Sequence, residues 1–126
     1  MTPITNATPL LAVADIDAAA EFLNTCLGFE TTFRADGYAY CRNGDAGIRL
    51  IDAEPGADMA DPARQHSVYI DCDDVDAFWA DHLSAIEKLP SSHRRAPFDQ
   101  DYGQREFHLI HGPFLFFVGQ AINESP

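Results

Sequence analysis

Basic residues are scarce in this sequence. It contains 8 Lys and Arg against 20 Asp and Glu, which gives a formal net charge of −12 over 126 residues. Nucleic acids and anionic membrane surfaces are bound by clustered Lys and Arg side chains, so neither is an expected partner. The negative charge is compatible with a cationic ligand, but taken alone it favours the simpler interpretation, a solvated acidic surface that aids solubility.

Paired cysteines and long apolar runs are also missing. Cys26, Cys41 and Cys72 form no CxxC pair and lie in apolar stretches, so we expect small core residues and neither a disulfide framework nor a zinc finger. The apolar run at residues 9–14 is too short for a signal or membrane segment, and no basic residue precedes it. We therefore expect a cytoplasmic protein, and the length indicates a single domain.

Two segments of the chain repeat one pattern. Residues 10–23 (LLAVADIDAAAEFL) and 69–83 (YIDCDDVDAFWADHL) each run from a short apolar strand through an acidic turn into an amphipathic helix. Asp15 and Asp74 lie in these turns and suit helix N-caps, because the first backbone N–H groups of a helix lack partners. Gly28 suits the residue that ends the first helix.

Strands are predicted after each helix. In the first half they cover residues 30–34, 37–42 and 47–52. In the second half they cover residues 105–110 and 114–119, while residues 89–97 hold an edge strand at best. Residues 54–65 contain two prolines and a glycine and are predicted to link the halves. The pattern predicts an α+β fold in one domain of residues 1–126, with a βαβββ module at about residues 4–53 and a second at about residues 66–122.

An ordered set of short stretches extends over nearly the whole chain. It consists of Ala7-Thr8-Pro9-Leu10-Leu11, Phe22 with Leu27-Gly28-Phe29, Phe33-Arg34, Gly37-Tyr38, Gly44-Asp45, Asp73-Asp74-Val75, Tyr102-Gly103 and Gln120. No single stretch is specific, but together they resemble the glyoxalase/bleomycin resistance protein/dioxygenase superfamily, also called the vicinal oxygen chelate superfamily. Within it, the sequence is most similar to the bleomycin-resistance proteins. The resemblance implies two modules whose curved mixed sheets surround a cavity.

The resemblance also implies four strand positions at which enzymes of the superfamily hold a divalent metal with His and Glu or Gln side chains. Side-chain alternation along the strands places these positions at Thr8, Arg49, Ser67 and Phe117. These side chains cannot together hold Zn²⁺, Ni²⁺ or Fe²⁺, which need imidazole, carboxylate or thiolate donors. His66 lies one residue out of phase. We therefore expect no metal and no cofactor, as in the bleomycin-resistance branch.

Glu106 and His108 are two residues apart in a predicted strand and therefore share one face. A metal site built from them with His66 or His111 would need a further ligand, and none is obvious in the sequence. We expect that they line a pocket, where His108 can exchange hydrogen bonds near neutral pH. The alternative is that both are partly exposed strand residues.

The predicted ligand-binding residues are aromatic or charged and are expected to face inward or to lie at the pocket rim. They are Tyr38, Tyr40, Arg49, Tyr69, Asp71, Tyr102, Glu106, His108 and Phe117. Rings with polar ends suit planar, partly cationic ligands through stacking and cation–π contacts. The alternative for each tyrosine is that it is a core residue whose hydroxyl forms a hydrogen bond. Arg49 either clamps an anionic group or pairs with Asp71 or Glu106. We favour the ion pair, because an isolated buried cation is costly.

The leading functional hypothesis is a metal-free small-molecule binding protein without catalytic residues. As the resemblance implies, it would sequester a drug-like or cationic, aromatic ligand, such as a bleomycin-like compound, in a crevice at the interface of a homodimer. The alternative is a lyase, isomerase or dioxygenase-like enzyme of the superfamily, whose acid–base pair would be Glu106 and His108. A third hypothesis, a partner-binding module that uses the acidic surface, has no specific segment in its support.

Overall fold

The computed structural model describes residues 2–122, and the chain divides between Ala57 and Asp58 into two compact modules. Module one consists of β1 (Leu10–Val13), α1 (Ile16–Leu27), β2 (Glu30–Ala35), β3 (Tyr38–Asn43) and β4 (Ala46–Asp52). Module two consists of β5 (His66–Asp71), α2 (Val75–Ile86), β6 (Arg94–Asp99), β7 (Gln104–His111) and β8 (Phe114–Ala121). Single 3₁₀ turns at Pro62–Arg64 and Ser91–His93 precede β5 and β6.

Each module forms one open, four-stranded mixed sheet. The strand order is β1-β4-β3-β2 in module one and β5-β8-β7-β6 in module two. The pairs β1–β4 and β5–β8 are parallel, and all other pairs are antiparallel. Parallel neighbours require a crossover, and the helix of each module lies in the chain between its first strand and the remaining three. The predicted α+β fold of two βαβββ modules is confirmed.

Both helices begin at the predicted aspartates. The Asp15 carboxylate accepts a hydrogen bond from the Ala18 N–H at 3.1 Å, and the Asp74 carboxylate accepts one from the Ala77 N–H at 3.0 Å. Helix α1 ends at Gly28, whose φ of 72° is the left-handed conformation that a glycine adopts without strain. These local signals are strong because they depend on neighbouring residues alone.

One face of each sheet is buried and the other is more open. In β1, Leu11 and Val13 are buried, whereas Leu10 between them is 52% exposed. In β5, Val68 is buried and Tyr69 is 41% exposed. This confirms the strand phase on which the inward-facing residues were predicted. We call the open faces, which bear Leu10 and Tyr69, the ligand faces of the two modules, because ligand-binding residues were predicted on them.

Strand β6 is the predicted edge strand, but it ends two residues beyond the predicted segment. Residues 89–97 predicted an edge strand at best, and the structure has a six-residue strand, Arg94–Asp99, at the edge of the second sheet. Its register shifts between Arg95 and Phe98, around Pro97, which has no N–H to donate. The bulge interrupts the alternation by which a strand is recognised in a sequence.

Cys26 and Cys41 are buried free thiols, as expected, and Cys72 is partly buried. Within residues 2–122, neither helix is long and apolar enough to cross a membrane.

Candidate functional site

Glu106 is the buried charged residue of the second ligand face. Its side chain is 0% exposed, and it lies on β7 opposite Gly119 of β8. Oε1 accepts hydrogen bonds from the hydroxyls of Tyr69 at 3.1 Å and Tyr102 at 2.8 Å. Oε2 accepts hydrogen bonds from the Gln100 amide at 3.1 Å and from Nε2 of His108 at 2.5 Å. Every lone-pair direction of the carboxylate therefore has a donor.

These contacts determine the protonation state of the site. Burial raises the pKa of Glu106, but the hydrogen bonds from His108, Gln100, Tyr102 and Tyr69 outweigh it, so the pKa lies below its ordinary value. The pKa values of the Tyr69 and Tyr102 hydroxyls are raised by desolvation and by their hydrogen bonds to this carboxylate. Glu106 is therefore ionised at neutral pH, and His108 must hold a proton on Nε2 to donate to it.

A glycine allows the Tyr69 hydroxyl to reach Glu106. A Cβ atom added to Gly119 would lie 2.2 Å from that hydroxyl oxygen and 3.1 Å from the backbone oxygen of Arg105. Module one repeats the arrangement, because a Cβ added to Gly47 of β4 would lie 2.7 Å from the Tyr40 ring. In each module a strand glycine thus provides the space that the end of a tyrosine side chain occupies.

Four rings and a guanidinium form a row across the second ligand face. Tyr69 and Phe117 stack with ring centroids 5.7 Å apart, and the centroids of the Phe117 and His108 rings are 4.2 Å apart. His108 meets Phe98 edge to face at 5.1 Å, and the Arg95 guanidinium lies 3.5 Å from the centroid of the Phe98 ring. We call Tyr69, Phe117, His108 and Phe98 the aromatic row. It presents π faces and ring edges next to a buried carboxylate, which suits a planar ligand.

Two cavities open on the same module. One of about 450 Å³ lies at the β7–β8 turn and is lined in part by His66, Ser67 and Phe114. The other, of about 270 Å³, is lined in part by Arg95 and His108. Ile110 and Leu115 line both cavities, which are therefore neighbours. Of the predicted binding residues, His108 borders the smaller cavity, and none borders the larger.

Module one brings together its three predicted residues. The Arg49 Nε atom donates to the Thr8 hydroxyl at 2.8 Å, and its Nη1 atom donates to the Tyr38 hydroxyl at 2.6 Å. The guanidinium lies over the Tyr40 ring, 4.3 Å from the centroid. Arg49 is half-buried, and these polar and π contacts within its own module compensate its charge.

The remaining predicted residues have different surroundings. Asp71 is exposed at the end of β5, two residues beyond Tyr69 on the same face. Tyr102 is 59% exposed at the rim, although its hydroxyl reaches Glu106. The pairing of Arg49 with Asp71 or Glu106 involves both modules and stays a prediction.

The four positions implied for a metal hold side chains with other contacts. Thr8 accepts the Arg49 hydrogen bond, and Phe117 stacks in the aromatic row. Neither these two nor Arg49 and Ser67 supply the imidazole, carboxylate or thiolate that a transition metal needs, so the donor set does not fit the group. Over residues 2–122, no three His, Cys, Asp or Glu side chains come together as metal ligands. The absence of a metal in the functional protein stays a prediction.

Three residues of this face were missed in the sequence. Gln100 donates to Glu106, Phe98 extends the aromatic row and Arg95 lies at its end. Arg95 and Phe98 flank the register shift in β6, so strict alternation fails to assign them to one face. Gln100 lies beyond the end of that strand, where side-chain direction follows no period. The one sequence signal for them is the spacing of Phe98 and Gln100, a ring two residues before an amide, and this signal is weak.

Comparison with known proteins gives a family and several solved structures. The family model described as Glyoxalase/Bleomycin resistance protein/Dioxygenase superfamily matches residues 5–116. No curated protein matches the chain. One similar solved structure is that of a bleomycin resistance determinant encoded on the transposon Tn5. It is 28% identical with a TM-score of 0.77, and the match covers 97% of this chain and 100% of that chain.

Two further structures indicate the range of functions on this fold. A bleomycin-binding protein complexed with bleomycin is 28% identical with a TM-score of 0.75, and the match covers 96% of this chain and 100% of that chain. A lactoylglutathione lyase from Agrobacterium tumefaciens is 20% identical with a TM-score of 0.67, and the match covers 94% of this chain and 95% of that chain. At that identity the likeness to the lyase shows the fold alone.

Proposed function

The chain belongs to the glyoxalase/bleomycin resistance protein/dioxygenase superfamily, and from this premise we propose that it sequesters a planar, drug-like small molecule, cationic or aromatic, without chemical turnover. The observation that supports this proposal is the aromatic row of module two, which presents stacked and edge-on rings beside a buried carboxylate. Two similar structures, 28% identical to this chain, are a bleomycin resistance determinant and a bleomycin-binding protein.

The contacts of Glu106 favour binding over catalysis. A general base must accept a proton from its substrate, and it works best when its pKa is near the operating pH. Glu106 already accepts four hydrogen bonds and has a lowered pKa, and the Nε2 proton of His108 is directed at it. The pair therefore fixes the orientation of the rings more readily than it transfers protons. A lyase, isomerase or dioxygenase-like activity is the alternative, and it is supported by the fold alone.

We further propose that the protein is a cytoplasmic homodimer with its ligand in an interface crevice. The ligand faces leave large apolar or aromatic side chains uncovered. In module one Leu10 is 52% and Phe33 is 56% exposed, and in module two Tyr69 and Tyr102 are 41% and 59% exposed. Exposed aromatic and apolar surface of this kind is typical of ligand or subunit contacts.

Calorimetric titration with metal-free bleomycin, after chelator treatment of the protein, tests the function. We expect saturable binding of about one ligand per chain with about micromolar affinity. Phe117→Leu removes a ring from the aromatic row and should weaken binding about tenfold, since aromatic contacts contribute about 0.5–1.5 kcal/mol beyond burial. Phe116→Leu is the matched control, because Phe116 is the preceding residue and lies buried on the opposite face. It should lower stability and leave affinity unchanged.

Two outcomes would contradict the proposal. If no saturable heat is observed, bleomycin-like ligands are excluded. If mass spectrometry of the recovered ligand shows a modified compound, the protein is an enzyme and sequestration is wrong.

A further inference from the structure

Arg95 differs from the arginines that have acidic partners. Arg105, for example, forms ion pairs with Asp76 at 3.0 Å and Asp99 at 3.1 Å. The Arg95 side chain has no hydrogen bond or ion pair within the described part of the chain, and its guanidinium lies instead over the Phe98 ring, 3.5 Å from the centroid. In a chain with a net charge of −12, carboxylates are plentiful. An arginine that none of them neutralises is therefore available to another anion.

The stacking contact leaves the donors of Arg95 available in a fixed plane. A guanidinium that stacks on a ring uses its π face, so its five N–H groups still point outward at the edges. The Phe98 ring is itself fixed by its edge contact with His108, and His108 by its hydrogen bond to Glu106. The guanidinium therefore adopts a defined orientation without an ionic partner, which lowers the entropic cost of binding one.

Arg95 borders a cavity of about 270 Å³. Its lining includes Ser92, His93 and Arg95, while Ile110 and Leu115 supply apolar surface. The Nε atom of Arg94, which also borders the cavity, donates to the Leu89 carbonyl at 3.1 Å. A mostly apolar lining that includes an arginine matches a molecule with an acidic group on a flat, apolar body.

We propose that Arg95 binds the acidic group of the ligand, and that this ligand is a small organic acid with a planar apolar body. The acidic group is a carboxylate or sulfonate that accepts two parallel hydrogen bonds from the guanidinium. The apolar body lies on Ile110 and Leu115 and extends towards the aromatic row. This inference rests on the proposed small-molecule-binding function, and of the cationic or aromatic ligands proposed there it selects an aromatic one that carries an acidic group.

The overall negative charge does not prevent such binding. At physiological ionic strength, charges farther apart than about 8 Å are largely screened, so short-range contacts dominate. The Glu106 carboxylate on this face is buried and accepts hydrogen bonds from four donors. Asp99, on the same strand as Arg95, is paired with Arg105.

The test compares 2-naphthoate with 2-naphthamide, which has the same shape without the charge. Each is titrated calorimetrically into the unmodified full chain at about 0.15 M salt, where long-range repulsion is screened. We expect the acid to bind at least about tenfold more tightly than the amide, as one bidentate charged contact predicts. Equal affinities would overturn the inference, and so would the absence of naphthoate binding.

Two variants locate the contact. Arg95→Gln should reduce the preference for the acid to less than about threefold, whereas Arg34→Gln should leave it unchanged. Arg34 is a matched control because it lies in module one and pairs with Asp17, and because its substitution by glutamine changes the net charge by the same amount. Equal losses in the two variants would mean a diffuse charge effect and would overturn the role of Arg95. Circular dichroism checks folding, and the acid–amide comparison in the unmodified protein remains decisive if Arg95→Gln does not fold.

The bleomycin titration keeps this inference separate from the proposed function. Saturable bleomycin binding without naphthoate binding would overturn the acidic-group inference alone. If neither compound binds, both proposals are wrong.

Discussion

A carboxylate that is removed from water must be compensated by donors, and Glu106 has four of them. Four of the five residues in this network were predicted to lie at the pocket, namely Glu106, Tyr69, Tyr102 and His108, and Gln100 was not. The two tyrosines and the histidine are fixed by one anion. At the residue scale, the site is therefore an arrangement of rings held in place by a buried charge.

Replacement of Glu106 by glutamine should make stability less dependent on pH. The folded pKa of Glu106 lies below its ordinary value, so the stability that its charge contributes is fully present above the unfolded pKa of about 4.3 and is lost as pH falls through the folded pKa. At about pH 7, Glu106→Gln should lower the free energy of unfolding by about 1–3 kcal/mol. The glutamine NH₂ group would replace one carboxylate oxygen, so hydrogen-bond donors that now point at that oxygen would lose their acceptor.

Urea denaturation of both proteins between about pH 7 and pH 3 measures this effect. The difference between their free energies of unfolding should become smaller as the pH falls. Glu30→Gln, at an exposed carboxylate of β2, is the control and should change stability little at any pH. A difference that stays constant across the range would show that the charge of Glu106 is not what the donors stabilise.

At the scale of elements, each helix is fixed by a local cap, and α2 also by a distant residue. Asp74 caps α2, and the side chain of Gln120 on β8 accepts a hydrogen bond from the Val75 N–H at 2.5 Å. Local sequence predicted the aspartate. The contact of Gln120 joins residues 45 apart, so it depends on the sheet that places β8 beside β5.

Removal of the Asp74 cap should destabilise module two without changing ligand affinity. Asp74→Ala removes the acceptor for the Ala77 N–H and should lower the free energy of unfolding by about 1 kcal/mol. Asp74→Asn keeps a capping oxygen and should lower the free energy of unfolding much less. Thermal unfolding of both variants measures the effect, and equal losses would show that the cap hydrogen bond is not the cause.

At the scale of the whole molecule, the two modules share one topology but differ in the chemistry of their ligand faces. Module one has a guanidinium satisfied by Thr8 and Tyr38, whereas module two has a carboxylate satisfied by tyrosines, an amide and a histidine. A repeated fold therefore presents two different surfaces. Both leave large apolar or aromatic side chains exposed, which underlies the proposed homodimer.

Light scattering after size-exclusion chromatography tests that assembly. We expect twice the 13.9 kDa mass of the chain. Leu10→Lys and Phe33→Lys, made together, should shift the mass towards one chain, because Lys side chains disfavour burial at an interface. A mass of one chain for the unmodified protein at micromolar concentration would contradict the dimer.

The sequence by itself determined the features that depend on short-range order. Side-chain alternation gave the buried and open faces of β1 and β5, the acidic turns gave the starts of both helices, and the repeated pattern gave the two modules. It also placed Glu106 and His108 on one face. Each of these follows from backbone geometry with a fixed period or from contacts within a few residues.

Tertiary structure alone decided which partners the side chains of the site contact. The burial of Glu106, the space that Gly119 leaves for Tyr69 and the position of Arg95 over Phe98 each depend on which strands are neighbours, or on a bulge that breaks the period. No sequence period encodes a contact between distant strands, and a register shift reverses the face of every residue beyond it. For this reason the sequence predicted many of the residues of the site but not the network that joins them.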